Sequence, residues 1–143
     1  MRIDRSPTSR AMRGFTLLEL LVVVAIIGLL AAYVGPRYFS QMSKSERSVA
    51  KAQIEAFSRA LSAFRLDVGR FPTDDEGLDA LLVRPSEASQ WNGPYLEKKV
   101  PNDPWGRPYH YRAGDNDEIE LTSYGKDGQP GGEADAADIS NRD

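Results

Sequence analysis

At 143 residues the chain has room for one compact domain in addition to any membrane segment. It contains no cysteine, which excludes disulfides, thiolate metal sites and cysteine nucleophiles. The net charge of -3 is unevenly spread: Arg2, Arg5, Arg10 and Arg13 face only Asp4 at the start, whereas nine acids from Asp115 onward face only Lys126 and Arg142. An acidic C-terminal region argues against a nucleic-acid surface, which needs clustered Lys and Arg to neutralise phosphates.

Residues 1–13 are short, basic and without apolar periodicity. They are followed by GFTLLELLVVVAIIGLLAAYV, residues 14–34, broken by little except the single acid Glu19. A helix needs about 20 predominantly apolar residues to cross a bilayer, and residues 15–34 meet that need. The basic leader is expected to stay on the cytoplasmic side. Cleavage after the apolar block does not fit, because Ala31 and Ala32 run straight into residues that continue the helical pattern. A carboxylate at the start of a span costs about 2–3 kcal/mol unless paired, so Glu19 requires a partner or a route to the headgroups. Gly35 and Pro36 then fall inside the helical pattern and predict a kink or partial melting between Gly28 and Pro36.

From Arg37 to Val68 the pattern changes to a stripe. Ala50, Ile54, Phe57, Leu61, Phe64 and Val68 recur at steps of four and three, which predicts an amphipathic continuation of the same helix. Gly69 ends it. Thr73 and Glu76 have capping-box spacing, with Leu78, Leu81 and Leu82 beyond and Pro85 as a stop, so a short second helix is expected over residues 74–83. The stretches around Trp91 to Leu96 and Pro101 to Tyr109 are dense in proline, glycine and aromatics, as in rigid turns pinned by buried rings. Residues 109–112 and 119–122 alternate at period two and predict a hairpin, with a further strand expected around residues 95–98. His110, the single histidine, has no nucleophile or carboxylate at recognisable spacing and reads as a plain strand position. No nucleophile elbow, phosphate loop or zinc pattern is present, so an enzyme is disfavoured.

The last region, SYGKDGQPGGE followed by ADIS, combines oxygen donors with glycines that permit tight turns. Such composition suits either a hard cation, which takes six to eight oxygens, or a solvated acidic tail. The spacing is not that of an EF-hand.

Gly14-Phe15-Thr16-Leu17-Leu18-Glu19 resembles the type IV prepilin signal. The resemblance implies that a prepilin peptidase cuts between Gly14 and Phe15, that the new Phe15 amine is methylated, and that the apolar helix stays on the mature protein. Glu19 would then sit one helical turn from an ammonium, its own or a neighbouring subunit's, and the family implies a role for it in assembly. The segments GPYL, PNDPWGRPYHY, SYGKDGQPGG and ADI resemble the G-type major pseudopilins of bacterial type II secretion, and with the leader they span nearly the whole chain.

That resemblance implies an α+β pilin fold: a long N-terminal helix packed on a small domain with a short second helix and a small antiparallel sheet. It divides the chain into a cleaved basic leader (1–14), a membrane or filament-core helix (15–36), its amphipathic continuation (37–68), and a periplasmic region (69–143) ending in a calcium-binding loop. The implied calcium ligands are Asp127 and Asp138, with backbone oxygens near Tyr124 and Gln129. Pro130 departs from the usual pattern of that loop, while Glu133, Asp135 and Ser140 stand as further donors or as solvent-facing residues. The implied product is a homopolymer, a pseudopilus that helps move folded exoproteins across the outer membrane. Its implied partners are minor pseudopilins, the prepilin peptidase and an inner-membrane secretion platform. The competing readings are a type IV pilin, a minor pseudopilin and, in a different class, a monomeric membrane-anchored periplasmic binding module.

Overall fold

The computed structural model describes residues 14–114 and 117–143. The basic leader and the tip of the expected hairpin turn lie outside the described residues. Helix α1, Leu17–Val68, is 52 residues long. Thr16 opens it, because its Oγ1 accepts the Glu19 backbone N–H at 3.2 Å and so satisfies one of the donors a helix start leaves over. The chain forms two compact units, one ending at Phe39 and the other covering Ser40–Asp143.

In the first unit α1 is unbroken through Gly28, Gly35 and Pro36, so the expected partial melting is absent. Proline removes one backbone bond, but its fixed φ suits a helix and the bonds on either side remain. This part of α1 is long and apolar enough to cross a membrane, and none of its most apolar stretch is buried.

In the second unit the core is built on the stripe of α1. Ala50, Ile54, Phe57, Ala60, Leu61 and Phe64 are buried, and Val68 packs at the edge. Leu78, Ala80, Leu81, Ala88, Tyr109, Leu121 and Ile139 close over them. Phe57 meets the Tyr109 ring edge-on at 5.2 Å, and Phe64 meets Tyr95 at 5.7 Å.

The second helix is shorter and tighter than expected. Thr73 and Glu76 do form the reciprocal capping bonds, Thr73 N–H to Glu76 Oε2 at 2.9 Å and Glu76 N–H to Thr73 Oγ1 at 3.3 Å. These bonds close the turn at residues 73–76, and the helix that follows is a five-residue 3-10 helix, Gly77–Leu81, shorter than the helix expected over 74–83. Gly77 takes φ 53, a left-handed conformation that closes the first turn with Gly77 N–H to Thr73 O.

The sheet has the order β1-β2-β3: β1 is His110–Ala113, β2 Ile119–Ser123 and β3 Ile139–Ser140. The β1/β2 hairpin is antiparallel with His110 opposite Thr122 and Ala113 opposite Ile119. The expected strand around residues 95–98 does not form. Pro94 removes a donor there and Tyr95 N–H is already given to Leu81 O at 2.7 Å, while the Tyr95 hydroxyl donates to Asp67. The third strand is instead β3, with Thr122 opposite Ser140 and Ser123 opposite Ile139. It places the C-terminal loop between two paired strands.

Candidate functional site

Two features carry chemistry. The first is the start of α1. Phe15 is 74% exposed, and the large apolar residues from Leu17 to Val34 are exposed with it. A Cβ placed on Gly14 would meet nothing within 4 Å, so packing within the chain does not demand glycine there. Glu19 lies in the first helical turn, where the helix dipole favours an acid.

The second feature is the loop from Ser123 to Ile139, held by the turn of residues 103–107. Asp103, 5% exposed, accepts from Trp105 N–H at 3.1 Å, Arg107 N–H at 2.8 Å and Ser123 Oγ at 2.7 Å. Arg107 donates Nη1 to Gly125 O at 2.7 Å and Nη2 to Lys126 O at 3.0 Å. From the other side Arg47 of α1 donates Nη1 to Ala137 O at 2.6 Å. The Tyr124 ring stacks on His110 with centroids 4.1 Å apart, and the Tyr124 carbonyl accepts Gly128 N–H. Tyr109 donates its hydroxyl to Gln53 of α1, and burial, with Asp103 nearby, pushes its phenol pKa up.

The two acids expected to bind metal lie on opposite arms of this loop. Asp127 Oδ1 accepts Gln129 N–H at 3.1 Å, and Asp138 Oδ2 accepts Gly131 N–H at 2.9 Å. Asp138 Oδ1 is buried with no hydrogen-bond partner, the kind of orphaned oxygen that a cation satisfies. Among the described residues no three acidic, His or Cys side chains gather as a metal cluster. A cation here would therefore take backbone carbonyls in addition to the carboxylates, which suits a hard ion.

Comparison with known proteins gives the family. A model of type II secretion system protein G matches residues 37–142, and a model of the prokaryotic N-terminal methylation motif matches residues 9–35. The chain belongs to the type II secretion system protein G family. It is 42% identical to type II secretion system core protein G of Pseudomonas aeruginosa over 138 residues, covering 94% of this chain and 97% of the relative. It is also 42% identical to the Vibrio cholerae core protein G, covering 92% of each. The crystal structure of the major pseudopilin from the type 2 secretion system of enterohaemorrhagic Escherichia coli superposes with a TM-score of 0.58 at 31% identity, over 72% of this chain and 91% of that one. The pilin fold expected from sequence is thereby shown, and the family match decides against a type IV pilin, a minor pseudopilin or a monomeric binding module.

For a member of the protein G family, the residues that sequence reasoning misses are Asp103, Arg107 and Ser123. The first two fall in a stretch that composition marks only as rich in turns. Their signal is present in Asp103-Pro104-Trp105-Gly106-Arg107, an Asx-type turn whose side chain reaches backbone N–H groups two and four residues on.

Proposed function

We infer that this chain is a major pseudopilin, a structural subunit and not an enzyme, and that it polymerises through α1. The observation that carries this reading is the contrast within α1. Its first part exposes large apolar side chains all round, whereas its second part buries an apolar stripe in a complete core. A surface of that kind needs lipid before assembly and neighbouring helices after it.

In the proposed pathway a prepilin peptidase cuts between Gly14 and Phe15, Phe15 is N-methylated, and Glu19 meets the ammonium of its own or a neighbouring subunit. The matched methylation motif and the exposure of Phe15 support this. The basic leader supports a single pass in the inner membrane with the body in the periplasm. The finished homopolymer, with minor pseudopilins and an inner-membrane platform, helps drive folded exoproteins across the outer membrane. Gly35 and Pro36 are the points of weakest helical cohesion and the place for a bend on packing into a filament.

The C-terminal loop is proposed to hold structural calcium through Asp127, Asp138 and backbone oxygens at Tyr124 and Gln129. The buried, unpartnered Asp138 Oδ1 is the observation in its favour. When bound, the ion supplies the positive charge that ties the two arms together. Pro130 is exposed and displaces none of these acids.

The decisive experiment monitors filament formation and the mature N-terminus together. Wild-type filaments should contain a chain beginning at methylated Phe15, and Glu19→Ala should abolish polymerisation while leaving membrane insertion intact. Filaments that retain Met1, or that assemble normally with Glu19→Ala, would refute the assembly reading. For calcium, chelation or Asp127→Ala should lower thermal stability; unchanged stability under both removes the metal from the account.

A further inference from the structure

We propose that Arg107 is the positioning residue of the C-terminal loop, a fixed guanidinium that shapes residues 123–128 whether or not a cation is present. A metal then has only residues 129–138 left to order. That role for the metal rests on the proposed calcium site; the role of Arg107 does not.

Arg107 is built into the fold at its backbone. Its N–H donates to buried Asp103 and its carbonyl accepts Asp103 N–H at 2.7 Å. Asp103 also takes the Ser123 hydroxyl, so one short turn grips the loop at Ser123 through Asp103 and at Gly125 and Lys126 through Arg107. Two carbonyls read by one planar fork are charge-assisted bonds with fixed geometry, which a lysine point charge does not reproduce.

Gly128 records the same contact from the other side. It adopts φ 69, and a Cβ there would lie 2.6 Å from Arg107 Cζ and Nε. The guanidinium is therefore packed against the backbone that separates Asp127 from Gln129. Its positive charge faces carbonyl oxygens in the part of the loop where a cation would otherwise have to supply all of the compensation.

The second half of the loop is gripped from outside only near its end, where Arg47 donates to the Ala137 carbonyl. Residues 129–135 are exposed, and Ala134 is held at φ 52, a left-handed conformation strained for a residue with a Cβ. Before Ala137 its hydrogen bonds come from within the loop: Gly131 N–H to Asp138 and Ala136 N–H to Glu133 O.

Hydrogen exchange read by mass spectrometry on the full-length chain in detergent, with calcium and with chelator, tests this. In the wild type, chelator should raise exchange in residues 129–138 and leave 123–128 protected. Arg107→Gln should raise exchange in 123–128 under both conditions, leave the α1 core stripe protected, and weaken apparent calcium affinity by about tenfold, the usual scale for a supporting residue. Arg107→Lys should recover less than half of the lost protection. Gly128→Ala, which pushes against the guanidinium without removing it, should reproduce the Arg107→Gln pattern and serves if that variant does not fold.

Unchanged protection of residues 123–128 in both Arg107→Gln and Gly128→Ala would overturn the proposal, as would full rescue by Arg107→Lys. Chelator exposing 123–128 in the wild type would overturn it too. A wild type indifferent to chelator would sink the calcium reading alone, because the Arg107 effect is read in either buffer.

Discussion

Asp103→Ala offers the sharpest test of how the body is held together. The carboxylate is 5% exposed and accepts three hydrogen bonds, from Trp105 N–H, Arg107 N–H and Ser123 Oγ. Taking about 1–1.5 kcal/mol net for each bond gives a loss of about 3–4.5 kcal/mol, reduced by the desolvation cost the buried carboxylate no longer incurs. We expect a loss of about 3 kcal/mol. Asp103→Asn keeps an oxygen for both N–H groups and an amide for the serine oxygen, so it should cost only about 1 kcal/mol. Urea unfolding of the full-length chain in detergent, monitored by the fluorescence of Trp91 and Trp105, measures both. A loss below about 1 kcal/mol for Asp103→Ala, or equal losses for the two variants, would refute the reasoning.

Two further outcomes rest on the same packing. Glu76 is held by a bidentate Arg70 fork at 2.7 and 2.8 Å and by Thr73 N–H, and the Arg70 bonds lower its pKa from 4.5 to about 2. A lowered folded pKa means the contribution is complete above about pH 4.5 and is lost as pH falls toward 2. Discounted for partial exposure it is about 1–2 kcal/mol, and Glu76→Gln should remove that acid limb from a stability-versus-pH curve. Phe64→Ala, at a fully buried position of α1, should cost about 3–5 kcal/mol in the same urea assay while leaving membrane insertion unchanged.

Periodicity makes α1 legible because Ala50 to Val68 bury one continuous face at helical spacing, and local order of that kind is written into consecutive turns. The hairpin is legible for the same reason at period two. β3 is not: Ile139–Ser140 is two residues long, too short to alternate, and it becomes a strand only because β2 offers an edge far upstream in the chain. The expected helix over 74–83 is shortened at one residue, Gly77, whose left-handed φ interrupts the first turn and leaves a 3-10 helix beyond it. The grip on the C-terminal loop is hidden because its parts are 18 and 20 residues apart, Arg107 to Gly125 and Asp103 to Ser123. Composition shows a turn there, and it does not show what the turn holds.

The division of α1 also gives assembly a direction. Moving an apolar helix from lipid into a bundle of like helices changes its hydrophobic environment little, since lipid tails and leucine side chains are comparably apolar. The body brings its own core and need not unfold to accompany it. What distinguishes the two surroundings is polar, and residues 15–34 contain one acid, Glu19. In lipid its carboxylate costs about 2–3 kcal/mol, and pairing with a cationic amine removes much of that cost. Where the partner in the proposed filament is the Phe15 amine of a neighbouring subunit, a pair that the lone subunit in lipid lacks, the least favourable residue in the membrane segment becomes the one that favours leaving the bilayer. Glu19→Gln separates charge from shape here: it should insert at least as readily as wild type and polymerise less. If the neutral side chain polymerised equally well, the ion pair would not be what draws the subunit out.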